Sequence, residues 1–163
     1  MAAVDYFLKI DTIKGESKDK QHTDEIHLES WSFGESNTGT FATGGGGGAG
    51  KVHMQDFHFV KAIDKAGPQL FGACATGKHI PTAVLTCRKA GGTQMEFVKV
   101  TFSDVLISSY NTSGSGGVDV LPTEEISLNF AKVKFEYQEQ KADGTPLGWI
   151  KSEFDLKRME AAA

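Results

Sequence analysis

The run Gly44-Gly45-Gly46-Gly47-Gly48-Ala49-Gly50-Lys51 is the first place to look for chemistry. Gly45-x-x-x-x-Gly50-Lys51 is one residue short of a phosphate-binding P-loop. The missing residue is the hydroxyl that would hold Mg²⁺, because position 52 is Val. A P-loop joins a strand to a helix, so that backbone N–H groups and the helix N-terminus converge on the phosphates. Here the segment from Lys51 to Val60 follows and reads as a strand, which speaks against nucleotide binding. A long glycine loop without a phosphate must do other work, such as reaching across to a neighbour.

The other reactive side chains assemble no site. His53 and His58 lie five apart on that strand and point to opposite faces, and His22, His27 and His79 fall in no metal-ligand spacing. Glu124 and Glu125 are adjacent, so on a strand they diverge and make poor acid–base partners. No serine sits in a Gly-x-Ser-x-Gly elbow. Cys87 stands beside Arg88, a neighbour that lowers a thiol pKa, but inside a strand it reads as inert packing. Cys74 and Cys87 are too few for a disulfide framework and read as buried thiols of a cytoplasmic protein. The expectation is no catalysis, no metal and no cofactor.

The elements that carry these residues are mostly strands. Tyr6 to Ile10 places Tyr6, Leu8 and Ile10 on one face and Phe7 on the other. Lys14 to Lys20 is a polar loop with alternating charge, read as solvated. Glu25 to Gly34 is one strand, with Ile26 and Leu28 on one face and Trp31 and Phe33 on the other. Ser36 to Gly50 is a long Ser/Thr/Gly loop of the kind that is functional or flexible, with Phe41 near its middle. The one substantial helix is predicted within Ile63 to Gly77. It carries Leu70, Phe71 and Cys74 on one face, Pro68 in its first turn and Gly77 as its end. Ala83 to Lys89 and Gln94 to Phe102 flank a hairpin turn at Ala90-Gly91-Gly92-Thr93.

Two strands change phase. Met95 and Phe97 have one parity, and Val98, Val100 and Phe102 the other; Ile126, Leu128 and Phe130 give way to Val133, Phe135 and Tyr137. Such a flip marks a bulge, or a strand passing between two buried environments. A polar loop at Asn111 to Gly117, a turn at Ala142 to Thr145 and a last strand near Trp149 to Leu156 complete the chain. The fold class is mainly β: an antiparallel barrel or two-sheet barrel with one flanking helix, as a single domain over 1–163.

Composition agrees with one globular domain. The 163 residues are 39% hydrophobic and 23% charged, with 19 glycines and 4 prolines. Net charge is −4 with both signs mixed, so no basic stripe points to nucleic acid. No apolar run of about 18 residues could span a membrane. The N-terminus lacks a basic region followed by a clean apolar one, because Asp5 and Lys9 interrupt it.

An ordered set of segments resembles the haemolysin-coregulated protein (Hcp) family, the tube subunit of the bacterial type VI secretion system. The segments are Lys14-Gly15-Glu16-Ser17, Trp31-Ser32-Phe33-Gly34, the glycine run into Lys51-Val52, Ile63-Asp64-Lys65-Ala66 and Gly77-Lys78-His79. Arg88-Lys89-Ala90-Gly91-Gly92, Ser108-Ser109, Ser113 to Gly117 and Gln140 to Gly144 continue the series. The likeness runs from about residue 4 to 150 and is weakest after Trp149. It implies homohexameric rings that stack into a hollow tube within a contractile sheath, capped by a spike protein. Effector proteins would be its cargo, and export would proceed from the cytoplasm without a cleaved signal peptide. By position, it implies that Ala90, Gly91, Gly92 and Thr93 lie on one rim of the ring, with Arg158 toward the other. Phe41 and Gly44, Gly45, Gly46, Gly47, Gly48 and Gly50 would contact an adjacent subunit or ring, and Ser32 would face the lumen and its cargo. The competing reading is a monomeric β-barrel that binds a small ligand or carries an unrecognised hydrolase site.

Overall fold

The computed structural model describes residues 3–39, 49–91 and 94–161. In chain order these form β1 (Ala3–Ile10), β2 (Ile26–Leu28), β3 (Ser30–Ser32), β4 (Glu35–Gly39), β5 (Ala49–Met54), β6 (Phe57–Ala62), helix α1 (Ala66–Thr76) and β7 (His79–Ala90). The long strands β8 (Met95–Ser113) and β9 (Thr123–Gln140) follow, then β10 (Pro146–Asp155) and β11 (Glu160–Ala161). Every strand pairing among them is antiparallel.

The main sheet runs β11-β10-β9-β8-β7-β1-β2, with β6 branching from β9 and β3 from β6. The expected strand from Glu25 to Gly34 is therefore two strands. Residues 26–28 pair with β1 and residues 30–32 with β6, and between them the Glu29 N–H donates to Val60 O (2.9 Å). That is why its apolar residues change face at this point. The path β1, β2, β3, β6, β9, β8, β7 thereby returns to β1. Chain continuity across Glu29, rather than one unbroken ladder, completes the barrel. The expected strand from Lys51 to Val60 also divides. β5 pairs with β4 in a separate two-stranded arm, while β6 enters the barrel wall.

Inside lie Leu8, Ile10, Ile26, Leu28, Phe57, Phe59, Leu85, Val100, Phe102, Ile126 and Leu128, with Phe102 4.8 Å from Phe57 and 4.7 Å from Phe130. The first phase flip is a bulge: Cys87 faces Val98 but Arg88 faces Glu96, which leaves Phe97 unpaired. The second occurs without a register shift in β9. There the strand exchanges β6, its partner over 123–128, for β10, its partner over 132–140. β8 flips at the same level. Phe102 and Val105 are both buried, opposite Val133 and Phe130, and Asp104 between them has φ +54°. Two residues on each strand thus separate successive core residues, and the sheet turns a corner.

Helix α1 starts at Ala66, with Pro68 in its first turn, and stops where expected. Gly77 is left-handed (φ 64°, ψ 37°), and Lys78 N–H reaches back to Ala73 O. Its buried face is Ala66, Gly67, Leu70 and Ala73. Phe71, expected inside, is 60% exposed and packs edge-on against Tyr110 at 5.8 Å. The Asn111 to Gly117 loop is shorter than expected, because β8 continues to Ser113. Among the described residues, no helix is long and apolar enough to cross a membrane.

Candidate functional site

Ser32 is exposed at the end of β3, and its cross-strand partner is His58 on β6. His58 pairs with Ser127 on β9, with Nδ1 3.2 Å from its Oγ, and Ser127 pairs with Ser109 on β8. Cross-strand partners point the same way, so these residues form one polar row on the face opposite Phe57, Phe59, Ile126 and Leu128. Below it, Asp56 accepts from Ser108 Oγ (2.7 Å) and Asn129 Nδ2 (2.9 Å).

The glycine run falls in sequence between β4 and the start of β5. Gly50 lies in β5, and Lys51-Val52 continue that strand, so no helix follows the run as a P-loop would require. Phe41, Gly44, Gly45, Gly46, Gly47 and Gly48 lie outside the described residues. β4 is exposed along its whole length. At the root of the arm is an open recess of about 530 Å³, lined by Trp31, Phe33, Met54, Phe135 and Phe154, with Glu35 and Glu153 also in its wall. The apolar surface extends beyond it to Tyr137 and Ile150, cross-strand partners on β9 and β10 that are 44% and 71% exposed.

Ala90 closes β7, and Gly91 follows it at φ +119° on the surface; Gly92 and Thr93 lie outside the described residues. Arg158 sits in the turn between β10 and β11, exposed, 3.7 Å from Glu160. Its neighbour Lys157 reaches Asp104 (3.5 Å), which also lies 3.0 Å from His79 at the start of β7. The His79 contact holds the Asp104 carboxyl below its ordinary range. The twelve residues of β7, about 36 Å from first to last, therefore separate the Arg158 end from the Ala90 end. Among the described residues, the sequence-predicted positions occupy one sheet face, the base of one arm and two opposite ends of the barrel, and they do not converge on a pocket.

Two polar clusters escaped the sequence reading. In the first, Lys61 and Glu124 are cross-strand partners, both fully buried, with Nζ 2.5 Å from Oε1. Lys61 also donates to Asp64 (2.7 Å), and Tyr110 O–H donates to Glu124. Burial, reinforced by the Glu124 carboxylate, pushes the Tyr110 phenol up to about 12. The signal was phase: Lys61 has the parity of Phe57 and Phe59, and Glu124 that of Ile126 and Leu128. In the second cluster, Asp19 grips the buried Arg88 through two hydrogen bonds (2.9 and 2.6 Å), so the loop read as solvated is tied down. Arg88 holds the Asp19 carboxyl well below the usual range. Cys87 does not gain acidity from Arg88; burial pushes its thiol up to about 12. Among the described residues, no cluster of His, Cys, Asp and Glu could hold a metal ion.

The family model described as "Type VI secretion system effector, Hcp" matches residues 7–137. The chain belongs to the Hcp family. It is 56% identical over 147 residues, 90% of each chain, to "Protein hcp1" of Pseudomonas aeruginosa. Among solved structures it is similar to Hcp1 from Salmonella typhimurium, with 36% identity, a TM-score of 0.81 and coverage of 98% of this chain and 100% of that one. A structure described as that of a type six secretion system protein superposes with a TM-score of 0.92 at 31% identity, again over 98% and 100%. These likenesses extend beyond the family match into β10 and β11. They fit the mainly β fold with one flanking helix.

Proposed function

We propose that this Hcp protein is the structural subunit of a type VI secretion tube. Six copies form a ring, and rings stack into a hollow conduit for effector proteins. The observation that carries this reading is the 56% identity to Protein hcp1 across nine-tenths of both chains. Three structural features support it. The exposed apolar strip of Phe135, Tyr137 and Ile150 beside the arm-root recess suits a head-to-tail interface, which repeats until a ring closes. The β4–β5 arm is a lone two-stranded ribbon, marginal in water by itself, and a neighbouring subunit would cover it. The Ala90–Gly91 turn and Arg158 stand at opposite ends of the barrel, as two stacking rims require.

In this reading Phe41 and the glycines of the 44–50 run touch the next subunit or ring, and the Ser32 row lines the lumen. The partners are further copies of the chain, a spike protein at the tube end, the surrounding sheath and cargo effectors. Nucleic acid and membrane insertion have no place in it. The protein waits in the cytoplasm and leaves without a cleaved signal peptide. The role is mechanical, so no residue is assigned to catalysis.

The test is complementation. In a bacterium lacking its own tube gene, this chain should restore sheath-dependent appearance of tube protein and effector in the medium. Export that persists without a sheath, or no export from a folded and expressed chain, would overturn the reading.

A further inference from the structure

Residues 14–25 contain no helix or strand, yet they are fastened along their length. Glu16 Oε2 accepts from the Lys65 backbone N–H (2.7 Å) at the entry to α1. Asp19 takes Arg88 with both oxygens. His22, 6% exposed, has carboxylates at both ring nitrogens: Glu25 at 2.9 Å from its own segment and Glu96 at 2.8 Å from β8. Its ring stacks on Phe7 at 4.4 Å, and the Arg88 guanidinium lies 4.9 Å from the Phe7 centroid. Phe7 is thus buried on the face of β1 that points away from the main core.

The two groups gripped on the sheet are themselves cross-strand partners. Arg88 faces Glu96, and only Lys89 and Met95 pair between them and the turn. The ladder is interrupted beside them by the Phe97 bulge. β9 pairs with β8 only from Val98 onward, so Glu96 lies beyond that ladder, where Gln138 Nε2 donates to its carbonyl (3.0 Å). A bulge bends and twists its hairpin. Here both strands of the bent end are held by a segment that is itself anchored, through Glu16, at the N-terminal entry of α1.

We infer that residues 14–25 are a strap that sets the direction of the β7–β8 turn, and that Asp19, His22, Arg88 and Glu96 are its positioning residues. For its consequence in assembly, this rests on the reading of Ala90–Thr93 as a stacking rim. The strap aims the turn at the next ring.

Amide hydrogen exchange on the full chain tests the strap directly. Asp19→Ala and Glu96→Ala should each speed exchange at the amides of 95–97 about tenfold or more, since each removes a hydrogen bond to a charged group. Amides of β6 and α1 should keep their rates. Glu96→Gln, which keeps an acceptor for His22, should restore most of the protection. Equal exchange in variants and parent would overturn the strap, and so would a uniform rise across the barrel. Stacking, read by electron microscopy and sedimentation, tests the consequence. The strap variants should give single rings where the parent gives tubes. Thr93→Arg, which changes the turn and none of the strap's residues, separates the two claims. If it abolishes stacking while loosened strap variants stack normally, the strap does not aim the turn. If it leaves stacking intact, the rim reading fails, and the exchange result alone decides the strap.

Discussion

Lys61 and Glu124 put opposite charges into the wall of an apolar barrel. Removing one leaves the other buried and unpaired. Lys61→Met should therefore destabilise by about 3–5 kcal/mol, whereas Lys61→Met with Glu124→Leu should recover most of that loss. Urea unfolding of the two variants measures the difference. Gly67 belongs to the same cluster, because an added Cβ would stand 2.5 Å from Glu124 Oε2. Lys61 and Tyr110 hold that carboxylate in place, so Gly67→Ala should cost about 1–3 kcal/mol. Asp19 gives a pH dependence. Its folded pKa is depressed, so its stabilising share is full above the unfolded value near ~4 and is lost as pH falls through the folded one. Asp19→Asn should flatten the stability curve below about pH 4, read by urea unfolding across that range. Cys87 should resist thiol reagents in the native state at pH 8, while half-buried Cys74 reacts first. At this scale the sequence showed residue types but not partners. Nothing local links Lys61 to Glu124 or Asp19 to Arg88; strand register and a long loop bring them together.

Local signals read well at the level of elements. Gly77 ended the helix because the left-handed cap needs no Cβ, and the β7–β8 turn lay where two alternating runs met a glycine pair. The phase flip at Phe97 marked a bulge, and the flip after Phe130 marked a change of neighbours. Division of the strands was not legible, because neither the bend at Glu29 nor the break at Gln55 carries a Gly or Pro, and the change of partner shows only in the pairing. The Glu29 N–H goes to Val60 and the Gln55 N–H to Gly34. Phe71 was misplaced for a different reason: α1 packs on one side only, and the small residues Ala66, Gly67 and Ala73 bring it close to the sheet. The arm yields a prediction of its own. Gly39 and Ala49 are cross-strand partners, so residues 40–48 can be replaced by a two-residue turn without touching the barrel core. The melting temperature should move by less than about 2 °C, in line with small effects of surface changes. Ring contacts or stacking, followed by sedimentation, should weaken. An unchanged assembly would remove the arm from the interface.

For the whole molecule, family, fold and exposed apolar surface fit together only in an assembly. A lone barrel with Tyr137 and Ile150 open to water and an uncovered arm carries surface that monomers seldom leave bare. The same features in a ring become contacts. In the proposed tube, the opposed ends at Ala90 and Arg158 would be the faces through which rings stack. The ordered likeness to the Hcp family was legible along the chain, whereas closure of the barrel through β2 and β3 was not, since it depends on two three-residue strands with different partners. The most direct test of the tube role is solution mass by light scattering after size exclusion, with negative-stain images of the same peak. A tube subunit gives a mass near six copies of the 17.6 kDa chain and annular particles. A monodisperse monomer at tens of micromolar, with no annuli, would contradict it.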